Sequence, residues 1–172
     1  MGTLHNPALY LTRSAVVAGI GVKSSKRHGR GDFIGFYTGK VVKKTARLTI
    51  EEQTTCFSIT GTCYMVVRVD ESDVISYVNE PPDGRCANVI ALPLHLEHGN
   101  AVAYYACERI GPHTELWTHY GDEFVRDYPV GKIAFSPRKI QRADTIVEPN
   151  SMKQLHRYCA ERRKNWKKLH TN

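Results

Sequence analysis

Tyr120, Asn79 and the glycine pair Gly19/Gly21 are the residues of this chain best suited to building a site. A phenol hydroxyl both donates and accepts hydrogen bonds, and a carboxamide offers the two functions side by side. In Gly19-Ile20-Gly21 two positions lack a Cβ. They let a ligand come close to the main chain, or they simply make a tight turn. Asn79 stands just ahead of Pro81-Pro82, so an ordinary turn role competes with a ligand-binding one. Tyr37, Tyr77, Tyr104, Tyr105, Phe124 and Tyr128 add aromatic faces, which attract alkylammonium groups and are equally at home in a core. Metal chemistry is not expected. Cys56, Cys63, Cys86, Cys107 and Cys159 include no C-x-x-C pair and match no structural zinc spacing. Their odd number reads as free thiols in a reducing compartment.

The elements that must hold these residues are short and mostly extended. Leu9 to Val22 is rich in β-branched and apolar residues around Gly19 and Gly21, predicting a strand and a tight turn. Asp32 to Val42 reads as one strand, and Phe57 to Thr60 and Tyr64 to Val69 flank the hairpin signal Gly61-Thr62. A short helix is expected over 49–53, with Thr49 and Glu52 in a capping-box relation. Val89 to Leu94 and Ala101 to Cys107 are strand-like across His98-Gly99-Asn100. Ser151 onward differs. Met152, Leu155, Cys159, Arg162, Trp166 and Leu169 recur at helical spacing behind Pro149, predicting a basic amphipathic helix over 151–172.

The chain's 172 residues suit one ordinary domain. A hydrophobic share of 41% and a charged share of 24% are the balance of a globular protein. Neither a secretory leader nor a membrane-spanning run is visible, so an intracellular protein is expected. The formal net charge of +7 is carried almost wholly by the last 22 residues, which hold seven Lys and Arg against Glu161. A basic tail on a near-neutral body implies an anionic neighbour such as nucleic acid, or merely a solvated helix face.

Three segments in order resemble the SET-domain family of protein lysine methyltransferases. Ser14 to Val22 followed by Gly31 to Val42 is similar to the family's opening G-x-G turn and Tyr-x-Gly strand. Ser76-Tyr77-Val78-Asn79-Glu80-Pro81, ending at Asn88-Val89, resembles its Asn-His segment. Ile110 to Phe124 resembles its I-x-x-G-x-E-L-x-x-x-Y-G segment. The likeness covers Ser14 to Tyr128 and leaves out the tail. Zinc clusters found beside many SET cores have no counterpart, which is similar to the compact stand-alone members. Glu80 stands where the family usually has His, and Ala87 where it has Pro.

The resemblance implies a mostly β fold of several small curled sheets with few helices and a knot-like crossing near the site. The expected organisation is a catalytic domain over 1–130, a connecting segment over 131–150 and the basic helix over 151–172. The implied cofactor is S-adenosyl-L-methionine, held by Gly19, Ile20, Gly21, Tyr37, Asn79, Glu80 and Tyr120. Asn79 would act through its amide and Glu80 largely through its backbone. Tyr120 would be catalytic, and Tyr77, Tyr104, Tyr105, Phe124 and Tyr128 would wall a lysine channel. Lysine titrates near 10.4, so the attacking amine must first become neutral, which a narrow apolar channel favours. Collinear attack makes positioning the main contribution of the protein. The implied substrate is a lysine-containing basic segment, a histone tail above all, with nucleosomal DNA contacted through 151–172, and a nuclear location. Two other classes stay open: a degenerate SET domain that binds without catalysis, and a basic nucleic-acid or chromatin-binding module.

Overall fold

The structure, a computed structural model, describes residues 6–15, 19–37, 39–59, 61–67, 74–96, 99–121, 124 and 131. Tyr128, the predicted helix over 151–172 and the connecting segment after Gly131 lie outside them. The described residues form three small antiparallel sheets with almost no helix. β1 (Leu9–Arg13) pairs with β2 (Ile20–Ser24) as a two-stranded sheet. β3 (Phe33–Tyr37), β7 (Val89–Leu96) and β8 (Gly99–Ala106) form a three-stranded sheet with β8 central. β4 (Lys40–Lys43), β5 (Cys56–Ser58) and β6 (Cys63–Val66) form another, with β6 central.

Side-chain alternation decides what each strand buries. Ala101 to Cys107 is buried throughout, as befits a central strand covered on both faces. On one face Tyr104, Val102 and Ala106 join Ile34, Ile75, Val89 and Leu116 in the main core. On the other, Tyr105 and Ala103 pack with Phe36, Ile90 and Leu92. A 3₁₀ turn over Val74–Tyr77 closes the main core against β1, β2 and β3 through the buried Ile75.

The run from Asp32 to Val42, expected as one strand, is two strands in different sheets. The break falls between Tyr37 and Lys40, and at Gly39 a Cβ would strike the Val66 carbonyl, so the main chain there passes close against β6. The predicted capping box is present around α1 (Ile50–Thr54): Thr49 Oγ1 accepts from the Glu52 N–H at 3.2 Å, and Glu52 Oε2 accepts from the Thr49 N–H at 2.9 Å. With five residues α1 is too short to stand on propensity. Thr49→Ala should therefore fray it and cost about 1 kcal/mol, read as a lower denaturant midpoint at unchanged slope.

One buried imidazole makes stability depend on pH. His28 is 1% exposed, and its Nε2 lies 2.7 Å from Ser24 Oγ. Burial, and then the Lys26 charge, lower its pKa from the ordinary 6.5, against a raising effect of Asp32. The unfolded chain thus binds a proton that the folded chain refuses. The associated stability is fully present above about pH 6.5 and is lost as pH falls from there toward the folded value. The unfolding midpoint should drop over that window, and His28→Gln should flatten the response.

Candidate active site

The residues between Glu115 and Tyr120 cross the molecule as a single extended segment, held on both sides by two arms of the same 78–89 stretch. On one side Thr118 N–H donates to Asn79 O at 2.9 Å, and Asn79 bridges Trp117 in parallel. On the other, Asn88 and Val89 N–H both donate to Trp117 O. Asn88 completes the grip with its side chain. Its Nδ2 donates to Glu115 O at 2.8 Å, and its Oδ1 accepts from Trp117 N–H at 2.8 Å. Buried at 3% exposure, this carboxamide satisfies a backbone donor and acceptor that would otherwise be orphaned. Gly131 adds a further tie. Its N–H donates to Pro81 O at 3.0 Å, and a Cβ there would strike the carbonyls of Pro82 and Arg85.

The crossing carries Tyr120 to the place where Asn79, Glu80 and the β2 start converge. Asn79 Nδ2 donates to Ile20 O at 2.9 Å. Tyr120 Oη donates to Val78 O at 2.9 Å, and Tyr120 N–H donates to Glu80 Oε1 at 2.7 Å. Glu80 is 4% exposed. Its carboxylate points inward to the main chain of Tyr120, a side-chain role that the sequence did not reveal.

A second buried carboxylate holds the glycine turn. Glu115, also 4% exposed, accepts from Ser14 Oγ at 2.6 Å and from Ala15 N–H at 2.9 Å. Gly21 is required here because a Cβ would run into Glu115 Oε1 and crowd Asn79 Nδ2. Gly19 and Ile20 are exposed, with Ile20 at 49%. Glu115 belongs to the I-x-x-G-x-E-L segment, but its burial and partners follow only from the tertiary fold.

The aromatic residues divide. Tyr37 and Tyr104 stack at 6.4 Å with planes 25° apart, and Tyr37 Oη donates to Thr55 O. Burial first, then Cys56 and Tyr120 for Tyr37, and Tyr37 and Tyr120 for Tyr104, push both phenols upward, so both stay protonated at neutral pH. Phe124 meets Tyr120 edge-on at 4.9 Å. Tyr77 packs half-buried on the main core beside Val78. Tyr105 stands apart on the opposite sheet face. Its hydroxyl is buried without a hydrogen-bond partner among the described residues, and burial pushes it up to about 12.

Tyr120, Gly121 and Phe124 border a cleft of about 780 Å³. Its other walls are Ile50, Gln53 and Thr54 of α1, Cys56 to Ser58 of β5, Tyr64 of β6, Val89 to Pro93 of β7, and Ala87, Cys107, Thr118 and His119. Both β5 and β7 are edge strands of their sheets. Among the described lining residues there is no Asp, Glu, Lys or Arg. The two thiols on the cleft are poor nucleophiles. Burial raises Cys56, and burial followed by the Glu108 charge raises Cys107 to about 12. No group of three His, Cys, Asp or Glu side chains among the described residues is placed to hold a metal ion.

No family model matches the chain, and no curated protein matches it in sequence. Among solved structures, it is similar to part of a chain in the crystal structure of the Chaetomium thermophilum polycomb repressive complex 2 (PRC2). The TM-score is 0.55 at 19% identity, over 68% of this chain. The match spans 16% of that chain's length. The likeness is one of fold, and small antiparallel sheets with almost no helix are consistent with the SET-like fold that the sequence motifs imply.

Proposed function

We propose that this protein is an S-adenosylmethionine-dependent methyltransferase acting on a lysine side chain of a protein. The observation that carries the reading is the convergence of Ile20, Asn79, Glu80 and Tyr120, from three separate segments, at the edge of an uncharged cleft. The crossing of 115–120 between two arms of one loop is, on this reading, the knot-like element of the family.

The donor set fits the cofactor. Asn79 presents a carboxamide, Gly19 and Ile20 present exposed main chain, and Gly21 keeps that main chain close to Glu115 and Asn79. These residues, with the main chain of Glu80 and with Tyr120, would hold S-adenosylmethionine, which when bound supplies an electrophilic methyl group; Tyr37, buried in the core with its hydroxyl on Thr55 O, would support the site from behind. The protein's own task is to deliver a neutral amine on a fixed line. A cleft without charged walls disfavours the ammonium form, and aromatic edges from Tyr120 and Phe124 accommodate the lysine stem. Tyr120 Oη, anchored on Val78 O, would offer its lone pairs to orient the amine beside the methyl group that the cofactor would supply. Phe124 shares this wall, Tyr104 lies behind it close enough to Tyr120 to feel its charge, and Tyr77 packs on the main core, whereas Tyr105 faces elsewhere.

The substrate that suits the cleft is an extended peptide, because an edge strand on either side can pair with added backbone while one side chain enters. A lysine-containing basic segment such as a histone tail is our first choice, which would place the protein with chromatin in the nucleus. The deciding experiment is transfer of label from S-adenosylmethionine to core histones and nucleosomes. Cofactor binding by calorimetry without transfer to any basic protein would instead support a degenerate, binding-only domain, the reading favoured by Glu80 in a position usually held by His. Absence of both transfer and cofactor binding would sink the methyltransferase reading.

A further inference from the structure

We infer that the face formed by the loop 23–32 and the segment 108–111 docks on the phosphate backbone of duplex nucleic acid. This inference is independent of the methyltransferase reading. His28 and Ile110 form an antiparallel bridge with reciprocal bonds of 3.0 and 2.9 Å, and both side chains are buried. In an antiparallel bridge the neighbours of an inward pair point outward. The outward positions are therefore Arg27, Gly29, Arg109 and Gly111. The two arginines stand diagonally, about 7–8 Å apart by the usual cross-strand geometry, a span comparable with neighbouring phosphates. Lys26 is exposed beside them, and Arg30 lies close enough to Cys107 to affect its thiol.

The two glycines between the arginines have no internal explanation. A Cβ at Gly29 would meet only the Asp32 carboxylate at 3.6 Å or beyond, and one at Gly111 only Thr114 Oγ1 at 3.5 Å, both ordinary contacts. Neither glycine is among those with positive φ. Glycine carries an entropic cost wherever it is not needed, so a bare backbone here points to something that must approach it closely. The result is a shallow saddle with an arginine on each side.

The loop is also tied to the body at three points. Ser25 N–H donates to Ala8 O, Gly31 N–H to Ala106 O, and His113 N–H to Ser24 O. The cations are thereby presented on a fixed frame, which lowers the ordering cost of binding. Across 23–32 and 108–111 five Lys and Arg face two acidic residues. One of the two, Asp32, is engaged by the Gly29 N–H at 2.7 Å; the other, Glu108, is exposed beside Arg109. Arginines flanking bare main chain at this spacing suit the regularly spaced phosphates of a duplex better than the bases of a single strand.

The test is fluorescence anisotropy of a short labelled DNA duplex with the full chain, titrated at several salt concentrations. Arg27→Ala with Arg109→Ala should reduce the slope of log K against log salt by about two, near 0.9 for each phosphate contact. Gly29→Leu with Gly111→Leu keeps every charge and should still weaken binding several-fold. An unfolding midpoint close to wild type shows that these variants fold. A slope unchanged by the arginine pair, with the binding carried by the basic tail alone, would overturn the proposal. So would polyglutamate binding as tight as the duplex and lost in the same variants, since the face would then belong to an acidic protein.

Discussion

Tyr120→Phe is expected to lower methyl transfer by a factor on the order of 10²–10³ while leaving the fold intact. The substitution removes one oxygen. In the folded protein that oxygen donates to Val78 O at 2.9 Å in a half-buried setting, so its loss should cost about 1 kcal/mol of stability. The ring keeps its edge-on contact with Phe124. On the proposed reading activity loses far more, because this hydroxyl would orient the amine, and the Tyr37 hydroxyl is committed to Thr55 O. The measurement is a single-turnover transfer rate, paired with cofactor affinity and an unfolding midpoint. A rate within a few-fold of wild type would remove Tyr120 from the chemistry even if the protein proved to be a methyltransferase.

How much of this was legible beforehand depends on the range of the interaction. Local signals read directly. The capping box at Thr49/Glu52, the hairpin around Gly61-Thr62 and the pairing of Val89–Leu96 with Gly99–Ala106 are all set by neighbours a few residues apart. The expected strand from Asp32 to Val42 breaks between Tyr37 and Lys40, where the main chain at Gly39 passes close against the Val66 carbonyl, a contact no local pattern reveals. The resemblance implies both Tyr104 and Tyr105 as walls of one channel. Period-2 alternation argues against that for any two adjacent residues of a strand, and they do lie on opposite faces. The convergence of Ile20, Asn79 and Tyr120 was implied by motif resemblance alone. Their bonds span separations of 59 and 42 residues, which composition and periodicity do not encode. The two buried carboxylates were the least legible. Glu80 and Glu115 look like surface residues by type, and it is their hydrogen-bond partners, brought from distant segments, that explain their burial.

Glu80 is also the residue at which this chain departs from the motif it resembles, and its replacement should separate positioning from chemistry. Its carboxylate oxygen takes the Tyr120 N–H at 2.7 Å, a charge-assisted bond in a buried setting. Glu80→Ala leaves that donor without its acceptor and opens a void behind the crossing, so stability should fall by about 1–3 kcal/mol. Transfer should fall roughly 10- to 100-fold, since a displacement of 1 Å at the reacting centre is enough for that. Glu80→Gln retains an oxygen of the same reach and should restore most of both. The discriminating measurement is the Tyr120 amide resonance. In the wild type it should shift when Glu80 protonates, and in Glu80→Gln it should not respond to pH over the same range. A wild-type resonance that ignores pH would show that Glu80 does not hold Tyr120, whatever the enzyme's activity. A shifting resonance in a protein without transfer would keep the positioning bond and reject the reaction.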